Sequence, residues 1–440
     1  MLCYTPSELC LRRSEALDIN TQFKPDRKQD ITWILGLYGT AIGAGTLFLP
    51  IDAGISGIWP LIIMAILAFP MTYFSHQALC RFVLSGAAPQ SDITDVVEEH
   101  FGPVAGRILT LLYFFAIFPI LLMYSVALTN TLQSFMHHQL HISPPPRSVL
   151  AFIIIIGLMT IIRFGQDLIV KSMSVLVYPF VAILLAFSLY LIPHWNGAIL
   201  WHDGMNMSSR HGFLMTVWLI IPVMVFSFNH SPIISSFALS QKQRFGANAD
   251  ENSSRLLRQT HLLMIGTVLF FTFSCVFSLS PHDLLQAKEQ NISILSYLAN
   301  HFHAPFIAYV APFVAFIAIS KSFLGHYLGA REGLEGLLQK AIYKEGKRNS
   351  NQKLRSLIVD AVIVLSCWLI ATLNPNILTM IETLGGPVIA LILFLMPMYA
   401  IAKVPAMKKY QGRISNGFIL LMGLAALSAI LYGLCESLIY

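Results

Sequence analysis

Eleven apolar stretches, most of them long enough to cross a bilayer, divide this 440-residue sequence and leave little chain between them. A hydrocarbon core is crossed by ~20 apolar residues of helix. Within it every backbone N–H and C=O must be satisfied by the protein itself, which leaves helices as the element for runs of this length. The stretches are residues 31–51, 58–84, 108–135, 149–162, 170–192, 213–239, 262–279, 305–328, 357–373, 377–401 and 414–434. The fourth is short for a full span, and several others are long enough to require tilt. Composition agrees: 56% of residues are hydrophobic and 11% charged, with a mean hydropathy of +0.67, well outside the range of soluble domains. The expected class is an all-α polytopic membrane protein with eleven transmembrane helices.

Basic residues set the orientation. With the N-terminus cytoplasmic, all but four of the 28 Lys and Arg fall on inner segments, the exceptions being Arg147, Arg210, Lys288 and Lys321. That asymmetry is the positive-inside pattern, and an odd number of spans places Tyr440 on the outer side. The net charge of +6 therefore belongs to topology, and no basic segment interleaved with aromatics argues for nucleic acid. The partners expected are a small solute and membrane lipid, with no obligate protein partner. The first thirty residues lack an apolar core with a small-residue cleavage site, so no removable leader is expected.

Six cysteines lie far apart without CxxC or His/Cys spacing and read as packing residues or free thiols. His137, His138 and His141 form an HHxxH in an outer loop, better read as interfacial histidines than as a metal site. HExxH, GxSxG and a phosphate-binding loop are missing from the sequence, which argues against an enzyme or an ATP-driven pump. No cofactor and no metal are called for. A channel would need a continuous polar lining, yet intramembrane charge is confined chiefly to Lys321 and Glu382. Two loops have structure of their own. The inner segment 329–356 reads as an amphipathic surface helix, and the outer segment 282–303 as a re-entrant or capping piece.

Two spans are interrupted. In the first, ITWILGLYGTAIGAGTLFLP, Gly43-Ala44-Gly45 sits mid-membrane, where each glycine weakens a helix by about 1 kcal/mol. In the sixth, Pro222 and Ser227-Phe228-Asn229-His230-Ser231-Pro232 break an apolar run near its middle. The first and sixth spans are five apart in order, and because five is odd the two halves would have opposite orientation. That is the arrangement of an inverted-topology repeat whose broken helices meet at the midplane around a solute and a coupling cation. The alternative is that Gly43 and Gly45 only admit a neighbouring helix, as small residues do in membranes.

Four motifs carry a resemblance. Tyr38-Gly-Thr-Ala-Ile-Gly-Ala-Gly-Thr-Leu-Phe-Leu-Pro50, Tyr124-Ser-Val-Ala-Leu-Thr-Asn130, Lys321-Ser-Phe-Leu-Gly-His-Tyr-Leu-Gly329 and Ile381-Glu-Thr-Leu-Gly-Gly-Pro387 resemble the bacterial hydroxy and aromatic amino acid permeases. This is the group of serine, threonine, tryptophan and tyrosine proton symporters of the inner membrane. The resemblance implies the LeuT-like, five-plus-five inverted-repeat fold of the amino acid–polyamine–organocation superfamily. A cytoplasmic segment (1–30) would precede a first repeat (31–192); a second (213–401) and an appended eleventh helix (414–434) would follow. It implies import of a neutral amino acid by symport with a proton in preference to sodium, and it leaves hydroxy and aromatic substrates open. A non-transporting amino acid sensor on the same fold is the remaining alternative.

An α-amino acid offers a carboxylate and an ammonium. The broken first helix, with Gly43 at the break, complements both: N–H groups of Ala44, Gly45 and Thr46 at a helix N-terminus for the carboxylate and carbonyls near Thr40, Ala41, Ser227 and Phe228 for the ammonium. Side-chain selectivity would come from Phe228, Asn229, His230 and Tyr124. Hydrogen-bonding groups on Thr46, Ser227 and Asn229 favour a hydroxy amino acid. An ammonium in hydrocarbon is costly and functional by default, so Lys321 is the expected coupling group, with Glu382 as its partner or substitute; in sodium-coupled relatives of the fold a cation sits between the first and eighth spans.

Overall fold

The computed structural model describes residues 27–88, 91–163, 166–201, 212–302, 304–342, 352–381 and 386–439, and these are helices and turns with no strand among them. The first span is two helices. α1 (Arg27–Ala41) stops and α2 (Ala44–Ile55) starts again after Ile42–Gly43, with the axis turned by 54°. α3 (Ile58–Leu84) returns across the molecule. The short α4 (Ile93–Phe101) is started by Asp92, whose carboxylate accepts the N–H groups of Thr94 and Asp95 in a capping box. α5 (Pro103–His138), α6 (Arg147–Arg163) and α7 (Gln166–Leu191) follow.

The sixth apolar stretch is likewise divided, into α8 (Phe213–Ser227) and α9 (Ser231–Phe245) on either side of Phe228–His230. Pro232 stands at the start of α9, where its missing N–H costs nothing. α10 (Ala249–Ser278), α11 (Pro281–Glu289), α12 (Ile294–His301), α13 (Pro305–Ile342) and α14 (Gln352–Leu373) come next. Residues Ile377–Met380 and Gly386–Ala390 lead through a π-helical turn, Leu391–Leu395, into Met396–Lys403, and α15 (Ile414–Ile439) ends the described chain.

Eight described helices are long and apolar enough to cross a membrane, nine if the bent α1–α2 pair is taken as one; α8 and most of α6 are apolar but shorter. Burial separates the centre from the lipid-facing rim. The apolar window of α5 is 67% buried and that of α14 only 22%, so α5 belongs to the core, packed along α13 and α14. On the other side α3 and α10 pack together, and α1 lies against α7 and α10. Large apolar residues left outside, such as Phe313, Leu357 and Leu421, face where lipid tails would be and carry no burial penalty there.

Two loop readings meet different outcomes. The inner segment does not open as a separate surface helix, because α13 runs unbroken from Pro305 to Ile342. REGLEGLLQKA contains only tolerant helix formers and two glycines, so nothing stops the helix at Gly329. The outer segment folds as α11 and α12, with Leu284, Ile294, Leu295 and Leu298 fully buried against α2, α5 and α13. Between them Asn291 spends its side chain inside the protein. Its Nδ2 donates to Asn374 Oδ1 at 3.0 Å and Pro375 O at 2.9 Å, and its Oδ1 accepts Ile377 N–H at 2.9 Å.

Candidate functional site

The two broken helices meet, and hydroxyl–carbonyl pairs hold them. Ser227 Oγ donates to Gly45 O at 3.0 Å, and Thr46 Oγ1 donates to Ser227 O at 3.3 Å. All three residues are buried. The backbone at Gly43 is extended and not left-handed, so glycine is required here by crowding. A Cβ on Gly43 would lie 2.7 Å from Tyr124 Oη and 2.8 Å from Ser322 Oγ. One on Gly45 would lie 2.7 Å from the Phe226 ring and 3.0 Å from Ser227 Cα.

The termini at the break are electrically distinct. The first hydrogen bond of α2 runs from Leu47 N–H to Gly43 O at 3.3 Å, which leaves the N–H groups of Ala44, Gly45 and Thr46 without acceptors in their own helix. On the α1 side Ile42 N–H reaches Tyr38 O at 3.2 Å, and the carbonyls of the last turn are the negative end of a helix. Ser322 Oγ donates to Ile42 O at 3.1 Å and stands with Tyr124 Oη against Gly43. Tyr124 in turn meets the edge of His326 with ring centroids 5.0 Å apart. Thr40 Oγ1 closes back on Gly36 O at 2.8 Å.

At the second break Phe228 is fully buried. Asn229 Oδ1 accepts Ser231 N–H at 3.0 Å, and buried His230 directs Nδ1 to Phe228 O at 3.1 Å. Thr40, Ala41, Gly43, Ala44, Gly45, Thr46, Tyr124, Ser227, Phe228, Asn229 and His230 are thus set around the two joints. The hydroxyls of Thr46 and Ser227 are already engaged by carbonyls.

Open volume lies beside the joints. A cavity of about 620 Å³ is lined by Gly39 and Thr40 of α1, Pro232 and Ser236 of α9, and Lys321, Ser322 and His326 of α13, and reaches exposed Asp92. The half-buried Lys321 places Nζ 2.7 Å from the position of a Cβ on Gly39, next to the last turn of α1. No carboxylate lies within ion-pair distance of it among the described residues. Glu382 is outside the described residues.

Sequence reasoning missed Ser322, although it stands inside a quoted motif. It also missed Thr267, whose hydroxyl meets Tyr38 Oη at 2.9 Å, and His76, whose Nε2 accepts His230 N–H at 3.2 Å. Ser75-His76-Gln77 within an otherwise apolar span was the available signal.

The sequence profile of the tryptophan/tyrosine permease family matches residues 32–435. The chain belongs to that family. This permease is 62% identical over 410 residues to the serine transporter SdaC of Escherichia coli (strain K12), covering 93% of this chain and 95% of that one. It is 47% identical over 425 residues to the threonine/serine transporter TdcC of Edwardsiella piscicida, covering 93% and 96%. Among solved structures, MhsT in complex with L-phenylalanine superposes with a TM-score of 0.56 at 15% identity, over 92% of this chain and 98% of that one. The Eremococcus coleocola manganese transporter, in complex with an aromatic bis-isothiourea substituted compound, superposes at 0.57 with 12% identity, over 91% and 85%. These neighbours are LeuT-fold transporters, and at such identities the likeness concerns the fold. By its family and its named relatives the permease is a multi-pass membrane transporter and not an enzyme.

Proposed function

We propose that this permease imports a hydroxy amino acid, serine foremost, across the bacterial inner membrane by proton symport. The observation that carries the substrate is the 62% identity to a serine transporter over nearly the whole of both chains. In this reading eleven spans form two inverted repeats, 31–192 and 213–401, with 414–434 appended. The N-terminus is cytoplasmic and the C-terminus periplasmic.

The substrate carboxylate sits on the N–H groups of Ala44, Gly45 and Thr46 at the positive end of α2. The substrate ammonium takes carbonyls near Thr40, Ala41, Ser227 and Phe228. Tyr124, Phe228, Asn229 and His230 bound the side chain. The cavity running from Thr40 and Ser322 to Asp92 is the inward path of release. Lys321 carries the coupling proton: as an ammonium it braces the negative end of α1, and as an amine it lets go, with Glu382 as the alternative carrier.

The test is uptake of labelled serine into proteoliposomes with competition by all twenty amino acids. Inhibition by serine and threonine ahead of tryptophan and tyrosine supports the assignment; dominance of the aromatic pair moves it to the other branch of the family. Absence of uptake and of competition overturns transport and leaves the sensor reading.

A further inference from the structure

Three histidines from distant parts of the chain gather behind the second break. His76 comes from α3, His230 from the joint between α8 and α9, and His261 from α10, and all three are at most 1% exposed. The rings of His76 and His230 stack with centroids 3.7 Å apart and 7° between planes; His261 lies 4.8 Å from His230 and 5.3 Å from His76.

Their hydrogen bonds fix the tautomers. Nδ1 of His76 is 2.7 Å from Thr72 O, Nδ1 of His230 is 3.1 Å from Phe228 O, and Nδ1 of His261 is 2.7 Å from Leu257 O. A carbonyl only accepts, so each Nδ1 bears the proton and each Nε2 is a bare lone pair. His76 Nε2 takes the backbone N–H of His230 at 3.2 Å. Nε2 of His230 and Nε2 of His261 are buried with no partner. A buried polar atom without a partner is costly and asks for a ligand. Here it asks for one that accepts electron pairs, since the group offers lone pairs and no other donor.

We propose that His76, His230 and His261 form a binding site for one borderline transition-metal ion, with Zn²⁺ as the natural probe. One ligand atom from each ring lies within 4.8 Å of the others. Neutral imidazoles held by Nδ1–H···O=C bonds are the usual oriented ligands of such ions. An all-nitrogen set excludes Mg²⁺ and Ca²⁺, which take oxygen. Tetrahedral Zn²⁺ with bonds of about 2.0–2.1 Å needs nitrogens roughly 3.3 Å apart, so one ring of the stacked pair must turn. His230 is the one free to do so, because it stands outside a helix (φ −133°), whereas His76 and His261 lie within α3 and α10. For His76 to ligate the ion, its Nε2 must release the backbone N–H of His230 that it now accepts at 3.2 Å. Occupancy then ties the joint of the second broken helix to two long helices, and on the transport reading above the ion slows the cycle.

The experiment is a Zn²⁺ titration by calorimetry of tag-free, chelator-treated permease in detergent. The expected result is one saturable site per chain. It persists when His137, His138 and His141 are all changed to Ala, and it is lost in His261→Phe. X-ray absorption of the Zn²⁺-loaded outer triple variant should show imidazole nitrogens at about 2.0–2.1 Å, which decides the matter even if His261→Phe misfolds. Zn²⁺ should also slow serine uptake several-fold in the parent and leave His261→Phe unaffected. No saturable binding, retention in folded His261→Phe, or loss in the outer triple variant would overturn the site and leave water bridging the two nitrogens. The stoichiometry is read without transport, so failure of uptake alone counts against the proposed function and not against the site.

Discussion

Gly43 and Gly45 do different work although they are two residues apart. What crowds Gly43 is two movable hydroxyls, on Tyr124 and Ser322, whereas Gly45 faces the Phe226 ring and Ser227 backbone. Overpacking costs about 1–3 kcal/mol, but where it is felt depends on what can yield. Gly43→Ala should therefore weaken serine binding with little loss of thermal stability, and adding Tyr124→Phe should recover part of it. Gly45→Ala should lower the thermal midpoint and gain nothing from Tyr124→Phe. Scintillation-proximity binding and thermal unfolding of the four variants separate the two, and equal behaviour of the two glycines would sink the distinction. The sequence offered substrate approach and helix packing as rival readings of one motif; the nearest neighbours of a Cβ on Gly45 are the Phe226 ring and Ser227 Cα. Ser322 was illegible for a related reason. A hydroxyl in an apolar helix has no periodic signature, and its importance arises from a carbonyl 280 positions away.

At the scale of elements, helices stop and restart at Ile42–Gly43 and Phe228–His230, where a glycine pair and a polar run inside apolar stretches conflict with a continuous helix. How the helix ends are anchored was not legible. Asp30, on the first turn of α1, is held by Arg244 of α9 at 3.1 Å and Arg255 of α10 at 3.1 Å. With Asp30 only 11% exposed and Arg255 42% exposed, Asp30→Asn should cost about 2 kcal/mol, less than a fully buried pair. The more open Arg331–Glu335 pair, 3.5 Å apart and both 28% exposed, should lose roughly 0.5 kcal/mol or less in Glu335→Gln. Thermal unfolding of both variants checks the contrast.

The outer cap gives a pH dependence. Burial tends to raise the Asp283 carboxyl, but hydrogen bonds from Ser280 and Tyr297 and the nearby His301 outweigh it and hold the carboxyl below its ordinary range. A folded-state value below the unfolded one stabilises at pH above the ordinary Asp value of about 3.9 and fades as pH falls through the depressed value. Asp283→Asn should accordingly lower the thermal midpoint at neutral pH and flatten its decline in acid. An unchanged acid limb would contradict the role given to Asp283.

For the whole molecule, hydropathy announced a helical membrane protein, and the described helices, the family profile and the fold neighbours agree on that much. The number of spans is harder to read, because α6 and α8 are apolar but short for a crossing. Contacts closed only in three dimensions, such as the three-histidine group, leave no spacing to find in a sequence. On the proposal of proton symport, protons held at the break between α1, α2 and α13 drive serine uphill. The most direct measurement is the accumulation ratio of labelled serine in sodium-free proteoliposomes under an imposed pH gradient, acidic outside, for the parent and for Lys321→Ala. The parent should concentrate serine above equilibrium until an ionophore collapses the gradient, while Lys321→Ala should exchange serine but only equilibrate it. Accumulation that requires sodium, or undiminished uphill uptake by Lys321→Ala, would contradict the account.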